Sequence, residues 1–165
     1  MVEDAFARHH AELFRYAARF TGDGDVAEDV VQETFVRMAE RPPAHDTNLR
    51  AWLYRVATTV ALDLLRASRR RFALVRSREH ALPMGDPPPD PAALVEREDL
   101  RERVRAALAE LEPRDRAVLL MRETGFAHRE IAEAVGTTTK SVGTMIARAL
   151  EKLSRRLPLD VGEDR

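Results

Sequence analysis

A segment with five prolines in nine residues, Pro83–Pro91, interrupts the middle of this 165-residue chain. Proline fixes φ and lacks a backbone N–H, so such a segment continues neither a helix nor a sheet and offers little surface to bury. An extended polyproline conformation rises about 3.1 Å per residue, so fifteen residues span roughly 40 to 50 Å. We therefore predict a linker at 79–93 between a first domain at 1–78 and a second at 94–157, with a tail at 158–165.

Apolar residues on both sides of this segment recur with the 3.6-residue period of an α-helix. The clearest stripe belongs to the third predicted helix: Leu49, Leu53, Val56, Val60 and Leu64. The other predicted helices of the first domain and the opening helix of the second supply Phe6, Leu13, Ala17, Phe20, Val30, Val31, Thr34, Phe35, Met38, Leu100, Val104, Ala107, Leu108 and Leu111. Aromatic residues make up only 5% of the chain and isoleucine occurs twice, which favours helices over strands. The predicted fold is all-α, with two small helical domains.

Charge is distributed unevenly along the chain. Residues 49–78 carry eight basic and one acidic side chain, and residues 113–157 carry nine and five. Two other blocks are acidic. Residues 1–48 carry ten acidic and five basic groups, and residues 79–112 carry nine acidic and four basic groups. Solvated helix faces would explain any single block. Two basic blocks that each coincide with a helical motif instead suggest two contacts with a polyanion, and the acidic blocks suggest another partner.

The segment Glu130–Val142 fits a helix-turn-helix. Two crossing helices need a small residue at their contact, here Ala132, and a turn residue that tolerates positive φ, here Gly136. A generic helical hairpin would show the same inner stripe on its second helix, which is Val142, Ile146, Ala149, Leu150, Leu153 and Leu157. The polar start of that helix favours DNA reading, because its side chains can meet phosphates and base edges. The predicted DNA contacts are Thr137, Thr138, Thr139, Lys140, Ser141, Thr144 and Arg148.

The third helix suggests a different contact with nucleic acid. Aromatic rings interleaved with guanidinium groups suit single-stranded bases and their phosphates. Here the rings and arginines are Trp52, Tyr54, Phe72, Arg50, Arg55, Arg66 and Arg69–Arg71. Core packing beside Leu53 is the alternative for Trp52, whereas Arg55 and the terminal arginine cluster are harder to explain by packing.

Taken together, these motifs resemble a small two-domain bacterial RNA polymerase sigma factor of the extracytoplasmic-function group. The first domain resembles region 2 through Ala27–Phe35 (AEDVVQETF) and Leu49–Ala57 (LRAWLYRVA). The second resembles region 4 through Leu111–Val118 (LEPRDRAV) and the helix-turn-helix. The motifs lie in the family's order around a linker and cover nearly all of residues 5–157.

The resemblance implies a role for each segment. In the family the acidic second helix docks on the clamp helices of the largest polymerase subunits, which assigns this role to Glu28, Asp29, Gln32 and Glu33. The loop from Arg41 to Asn48 and the third helix correspond to the part that opens the minus-10 element without ATP and captures a flipped base. The resemblance therefore implies minus-10 contacts for Asn48, Arg50, Trp52, Arg55, Thr58, Thr59 and Arg66. The helix-turn-helix corresponds to the minus-35 reader, and the linker to a segment along the RNA exit path.

The resemblance also implies partners and shows departures. The implied partners are core RNA polymerase, promoter DNA as duplex and as melted single strand, and an anti-sigma protein, which is common in the family. Gly143 and Met145 stand where family recognition helices often carry basic residues. Thr58-Thr59 replaces a common Arg-Asn pair, and Ala127 stands where a Ser or Thr often caps the first helix of the motif.

Two other classes of function compete with this interpretation. A helix-turn-helix repressor or activator would bind duplex DNA as a dimer, but it leaves the acidic second helix and the aromatic-arginine helix without a task. An enzyme has little support, because His9-His10 and the scattered carboxylates lie on charged helix faces without a convergent site. We therefore expect a non-enzymatic protein without catalytic residues.

Composition excludes several further chemistries. The chain has no cysteine, and its five histidines follow no metal-ligand pattern, so we expect no disulfide, metal or cofactor. No stretch longer than seven residues lacks a charged side chain, which argues against membrane insertion. The acidic start at Met1–Asp4 has no secretory signal, so the expected location is cytoplasmic.

Overall fold

The computed structural model describes residues 2–45, 47–71 and 91–157, without the side chains of 69–71 and 91–94. Across these ranges all regular secondary structure is helical, which confirms the predicted all-α class. The helices are α1 (Val2–Thr21), α2 (Gly24–Glu40), α3 (Leu49–Arg71), α4 (Pro91–Ala109), α5 (Pro113–Glu123), α6 (His128–Val135) and α7 (Thr139–Arg156). The predicted linker up to residue 90, Phe72, the tail and the side chains of Arg69–Arg71 lie outside this description, and α4 begins at Pro91.

Helices α1, α2 and α3 pack on one another and form the amino-terminal half. The turn before α2 is set by Gly22, at φ 73°, and by Asp23, whose carboxylate accepts the backbone N–H groups of Asp25 and Val26 at 2.8 and 3.1 Å. A cap of this kind satisfies orphan donors at the start of a helix, so α2 begins directly after Asp23. The predicted inner faces of α1 and α2 are buried, apart from Phe6.

Helices α5, α6 and α7 form the predicted helix-turn-helix with its supporting helix. Gly136 ends α6 in the left-handed conformation, at φ 68°. The Arg114 guanidinium donates to the carbonyl oxygens of Val135 and Gly136 at 3.1 and 3.0 Å, so a cation satisfies the carbonyl end of α6. Thr138 caps α7 by accepting the Ser141 N–H at 3.3 Å. The predicted turn chemistry is confirmed.

Four apolar positions of the predicted inner faces are exposed instead: Phe6, Leu64, Leu100 and Leu150. Phe6 lies at the end of the bundle, where its ring packs edge-on against Phe35 with centroids 5.0 Å apart. Leu64 lies at the rim of a groove between α2 and α3. Leu150 is 51% exposed. Helical periodicity predicts one apolar stripe per helix, but a neighbouring helix covers only part of each stripe.

The two halves share one continuous apolar core. Helix α3 packs against α5 and α6 as well as against α1 and α2, and α1 also contacts α5. As a result α3 is buried on two sides, and Tyr54, Ala57 and Ala61 are enclosed although they lie off the predicted stripe. Arg116 of α5 crosses this junction, because its guanidinium donates to the carbonyl oxygen of Phe20 in α1 at 2.5 Å.

Candidate nucleic-acid interface and acidic groove

The predicted duplex-reading residues of the helix-turn-helix all reach the surface. Thr137 and Ser141 are half-buried, and the remaining five are exposed. They surround the first turns of α7, where free backbone N–H groups and the helix dipole favour anions. A lysine and several hydroxyl groups therefore stand at an end of a helix that is suited to phosphates, and Arg148 lies midway along the same helix.

Ala127 begins α6 without a side-chain cap, as its sequence position predicted. The missing contact is supplied from inside the helix, since the Glu130 carboxylate accepts the Ala127 N–H at 2.9 Å. This is the return half of a capping box, and it satisfies one of the orphan donors at the start of α6. The same carboxylate also faces α3, where the Asn48 side-chain amide donates to it at 3.4 Å.

Gly143 lies inside α7 in a conformation that needs no glycine. A Cβ built there would meet only the His128 ring, at 3.9 Å, which is ordinary van der Waals contact. Because a mid-helix glycine is less favourable than alanine by about 1 kcal/mol, Gly143→Ala is expected to raise the free energy of unfolding by about that amount. Thermal unfolding followed by circular dichroism measures the change, and a clear fall in melting temperature would show that the backbone requires glycine there.

Four of the seven predicted minus-10 residues share one face of α3. Asn48, Trp52, Arg55 and Thr59 follow one another at helical spacing. The Asn48 carboxamide oxygen accepts the Ala51 N–H at 3.2 Å, so Asn48 also caps the helix. Trp52 is half-buried rather than part of the core, and Thr59 is exposed.

Arg66 continues this face two turns further along the helix. It pairs only loosely with Asp63, at 3.7 Å, and both side chains are 59% exposed. Surface pairs of this kind contribute little to stability, so the Arg66 guanidinium remains available to an anion.

Thr58 has another role in this arrangement, whereas Arg50, whose side chain is 39% exposed, stays a predicted contact. Thr58 is fully buried, and its hydroxyl donates to the Tyr54 carbonyl oxygen at 2.6 Å and lies 2.7 Å from the Tyr16 hydroxyl. Arg50 pairs with the Glu12 carboxylate at 3.0 Å. The predicted DNA contact of Thr58 is therefore corrected to a packing role, because α1 and α5 enclose this side of α3.

The Arg50–Glu12 pair perturbs its neighbours. Burial alone would raise the pKa of Glu12, but hydrogen bonds from His9 and Arg50 and their charges outweigh it and lower that pKa below its ordinary value. Burial, together with the negative charge of Glu12, raises the pKa of Tyr54 to about 12. Glu12 is therefore ionised and Tyr54 neutral near pH 7, and Arg50 is held by α1.

The predicted acidic residues of α2 line a groove between α2 and α3, which we call the acidic groove. Asp29 and Gln32 are exposed, and Glu33 pairs with Arg37 at 2.8 Å. The groove is lined by Asp29, Gln32, Glu33, Val36, Arg37, Val60, Asp63, Leu64 and Ala67. Glu28 lies one turn away and accepts a hydrogen bond from Gln32 at 3.3 Å.

The exposure of two apolar residues of the acidic groove was not predicted from the sequence. Val36 is 49% exposed and Leu64 is 38% exposed. Leu64 fitted the inner stripe of α3, and Val36 lies beside the buried stripe of α2, so periodicity gave no signal for either. Apolar side chains rimmed by carboxylates are typical of a protein-docking surface.

Metal-ligating clusters and membrane-spanning helices were both sought in the described ranges. No group of three or more potential metal-ligating side chains occurs among the residues whose positions are described. None of the helices that the structure describes is both long and apolar enough to cross a bilayer.

Comparison with known proteins identifies the family. The family model for Sigma-70 region 2 matches residues 5–71, and the family model for Sigma-70, region 4 matches residues 101–153. SigL of Mycobacterium tuberculosis strain H37Rv, an ECF RNA polymerase sigma factor, is 33% identical over 157 residues, with 93% of this chain and 86% of SigL covered. The chain belongs to the ECF family of RNA polymerase sigma factors. Sigma factors are non-enzymatic initiation factors, so the enzyme alternative is set aside.

Two further comparisons bear on length and fold. SigG of the same organism is 37% identical over 173 residues, which cover 91% of this chain and 47% of SigG. The chain thus spans about half the length of this relative. The sigma factor RpoE from Bartonella quintana, solved in complex with the anti-sigma factor NepR, shares the fold at a TM-score of 0.76 and 19% identity, with 96% of this chain and 97% of RpoE covered.

Proposed function

We propose that this chain binds core RNA polymerase and directs it to promoters by recognising minus-35 and minus-10 DNA. The observation that carries the proposal is the combination, on one region 2 and region 4 chain, of a carboxylate-rimmed groove on α2 and a helix-turn-helix with a polar, exposed start to α7. A regulator that only binds duplex DNA would not need the carboxylate-rimmed groove on α2. With polymerase and DNA as its partners, the protein acts in the cytoplasm.

The acidic groove is the proposed polymerase-docking surface. Its carboxylates on α2, Asp29 and Glu33, steer a basic partner, while Val36 and Leu64 offer apolar area for burial. Glu28 and Gln32 extend the same surface along α2.

The face of α3 is the proposed contact for the melted minus-10 strand. Trp52 offers a ring for stacking, Arg55 and Arg66 offer charge for phosphates, and Asn48 and Thr59 offer hydrogen bonds to base edges. Capture of an unstacked base offsets part of the cost of opening the duplex, which is a few kcal/mol for each flipped nucleotide. Arg50 and Thr58 support this face from behind through their contacts with Glu12 and Tyr54.

The exposed start of α7 is the proposed reader of the minus-35 element. Lys140 at this start and Arg148 midway along α7 stand out, since both are basic and exposed. Replacing either one by alanine is expected to weaken binding of upstream duplex DNA and to lower the slope of log affinity against log salt by about one. Glu151→Ala on the same helix is the control for loss of a charged side chain. Titration at several salt concentrations measures both quantities, and an unchanged slope would contradict a phosphate contact.

Transcription in vitro tests the whole proposal. Purified core polymerase is incubated with a library of genomic fragments, with and without the full chain, and the transcripts are sequenced. Discrete new start sites are expected only when the chain is present. If none appears and the chain also fails to co-migrate with core polymerase at low ionic strength, the proposed function is wrong.

An anti-sigma protein is a further proposed partner. Support comes from RpoE, which has the same fold and was solved in complex with the anti-sigma factor NepR. Pull-down with a candidate anti-sigma protein, followed by loss of transcription in the assay above, tests this partner separately.

A further inference from the structure

The helix that carries the proposed minus-35 contacts buries few apolar side chains. The structure describes all 18 residues of α7, and the buried ones are Val142 and Ala149. Met145, Ile146 and Leu153 pack against the core but are only partly buried. Because burial of apolar surface has no preferred direction, this contact attaches α7 to the core without fixing its tilt. The orientation of α7 therefore depends on directional contacts as well.

Two neighbouring residues in the first turn of α5 supply such contacts. The Arg114 guanidinium donates through Nε to the Val135 carbonyl oxygen and through Nη2 to the Gly136 carbonyl oxygen, at 3.1 and 3.0 Å. The Lys152 ammonium donates to the Asp115 carboxylate at 2.7 Å, and the Asp115 side chain is only 16% exposed. We call Arg114 and Asp115 the α5 brace.

The two contacts of the α5 brace lie far apart along the reading motif. Arg114 holds the turn directly before Thr138, which caps α7, whereas Lys152 lies in the fourth turn of that helix. Lys152 follows Thr139 by thirteen positions, which is about 20 Å at a rise of 1.5 Å per residue. Two attachment points at this separation fix the direction of a helix axis, which a single point does not.

Small changes in that direction matter for DNA reading. Side chains that bind a ligand must be held within about 0.5 Å and 10 to 20° of their productive geometry. Arg148 follows Thr139 by nine positions, so a tilt of about 10° at the turn displaces the Arg148 backbone by about 2 Å. A displacement of this size breaks a hydrogen bond to a base edge or to a phosphate.

We propose that the α5 brace positions α7 for reading the minus-35 element. The inference rests on the proposed minus-35 role of α7. Arginine suits the contact with the turn because its rigid fork bonds two carbonyl groups at once, which the single ammonium of lysine does not reproduce. Arg114 acts through the turn and Asp115 acts through Lys152, so both are positioning residues and not DNA contacts.

Substitution of Arg114 in the full chain tests the contact with the turn. One probe is a short duplex with the upstream element of the strongest start site from the transcription assay, and the other has the same bases in scrambled order. Arg114→Met is expected to lower the ratio of the two affinities about tenfold, the cost of about one misread base pair. The salt dependence of binding to the scrambled duplex is expected to stay unchanged, because no phosphate contact is removed.

Two variants serve as controls for Arg114→Met. Arg114→Lys keeps the charge but loses the fork, so its affinity ratio is expected to stay below that of the unsubstituted chain. Arg97→Met removes the same charge from an exposed arginine of α4 and is expected to leave the ratio unchanged. Each titration is run well below the melting temperature of the variant, and circular dichroism at the same temperature shows that the chain is folded. A loss of stability alone therefore does not change the ratio.

A double-mutant cycle tests the second contact. Asp115→Asn and Lys152→Met are each expected to lower the affinity ratio about threefold. The double variant is expected to lower it no further, because all three variants lose the same contact. Arg155→Met is the control for loss of a basic side chain from α7, since Arg155 pairs within its own helix with Glu151. It is expected to leave the ratio unchanged.

The outcomes separate this inference from the proposed function. If folded Arg114→Met keeps the affinity ratio, or if Arg114→Lys restores it in full, the positioning role is wrong. A salt slope lowered by about one would mean that Arg114 binds a phosphate itself, and effects that add in the cycle would mean that Asp115 and Lys152 act separately; either result overturns the α5 brace. If the unsubstituted chain does not distinguish the two duplexes, the minus-35 role of α7 is wrong. A lower ratio in folded Arg114→Met at an unchanged slope supports the inference.

Discussion

The double substitution Asp29→Lys/Glu33→Lys is expected to abolish association of the full chain with core RNA polymerase. The two carboxylates lie one helical turn apart at the rim of the acidic groove, beside the exposed Val36. A partner that docks on carboxylates presents basic groups, and opposing like charges across an interface costs several kcal/mol. The expected loss of affinity is therefore about a hundredfold or more, measured by titration of labelled chain with core polymerase.

A matched control exists on α4. Glu98 and Glu102 have the same spacing, and each pairs with an arginine three residues later, Arg101 or Arg105. Glu98→Lys/Glu102→Lys changes the net charge equally and is expected to leave polymerase binding within about twofold, since exposed pairs contribute little. If the α4 variant loses binding and the α2 variant keeps it, the docking surface has been assigned to the wrong helix.

Arg116→Met is expected to lower the free energy of unfolding by about 3 kcal/mol or more. The Arg116 side chain is buried, and its guanidinium donates to the carbonyl oxygens of Phe20, Ala109 and Leu111 at 2.5, 2.9 and 3.1 Å. Methionine preserves length and apolar packing but donates no hydrogen bond, so buried carbonyl groups lose their donors. Each unsatisfied buried group costs about 1 to 3 kcal/mol. Urea denaturation followed by circular dichroism measures the loss.

Arg122→Met is the control for this substitution. Arg122 lies on the same helix but is exposed, so its replacement is expected to change stability by no more than about 0.5 kcal/mol. Because Phe20 belongs to α1, Arg116→Met should also make Trp52, which lines a cleft between α3 and α6, more accessible to acrylamide quenching of its fluorescence. Equal stability of the two variants would show that Arg116 does not hold the halves together.

The sequence was informative wherever the cause of structure is local. The period of the apolar residues predicted the helices, and Gly136 predicted the turn of the helix-turn-helix. The acidic face of α2 followed from the same reasoning, because Asp29 and Gln32 lie opposite a stripe that had to be buried.

The role of Arg116 could not be predicted from local sequence patterns. In the sequence it is one basic residue in a charged segment, and nothing distinguishes it from Arg122. Its partner Phe20 lies 96 positions away. A buried arginine needs carbonyl acceptors in the correct positions, and only the packing of α1 against α5 provides them.

The amino-acid sequence by itself determined the helical class, the helix-turn-helix and the charged surfaces, because periodicity, capping and charge act over a few residues. The tertiary structure alone decided which residues of α3 face outward, that Thr58 is enclosed, and that Glu133 lies beside Arg55. Those facts depend on how distant helices pack, since the free energy of burying a shared core is set by the contact between them and not by either helix alone.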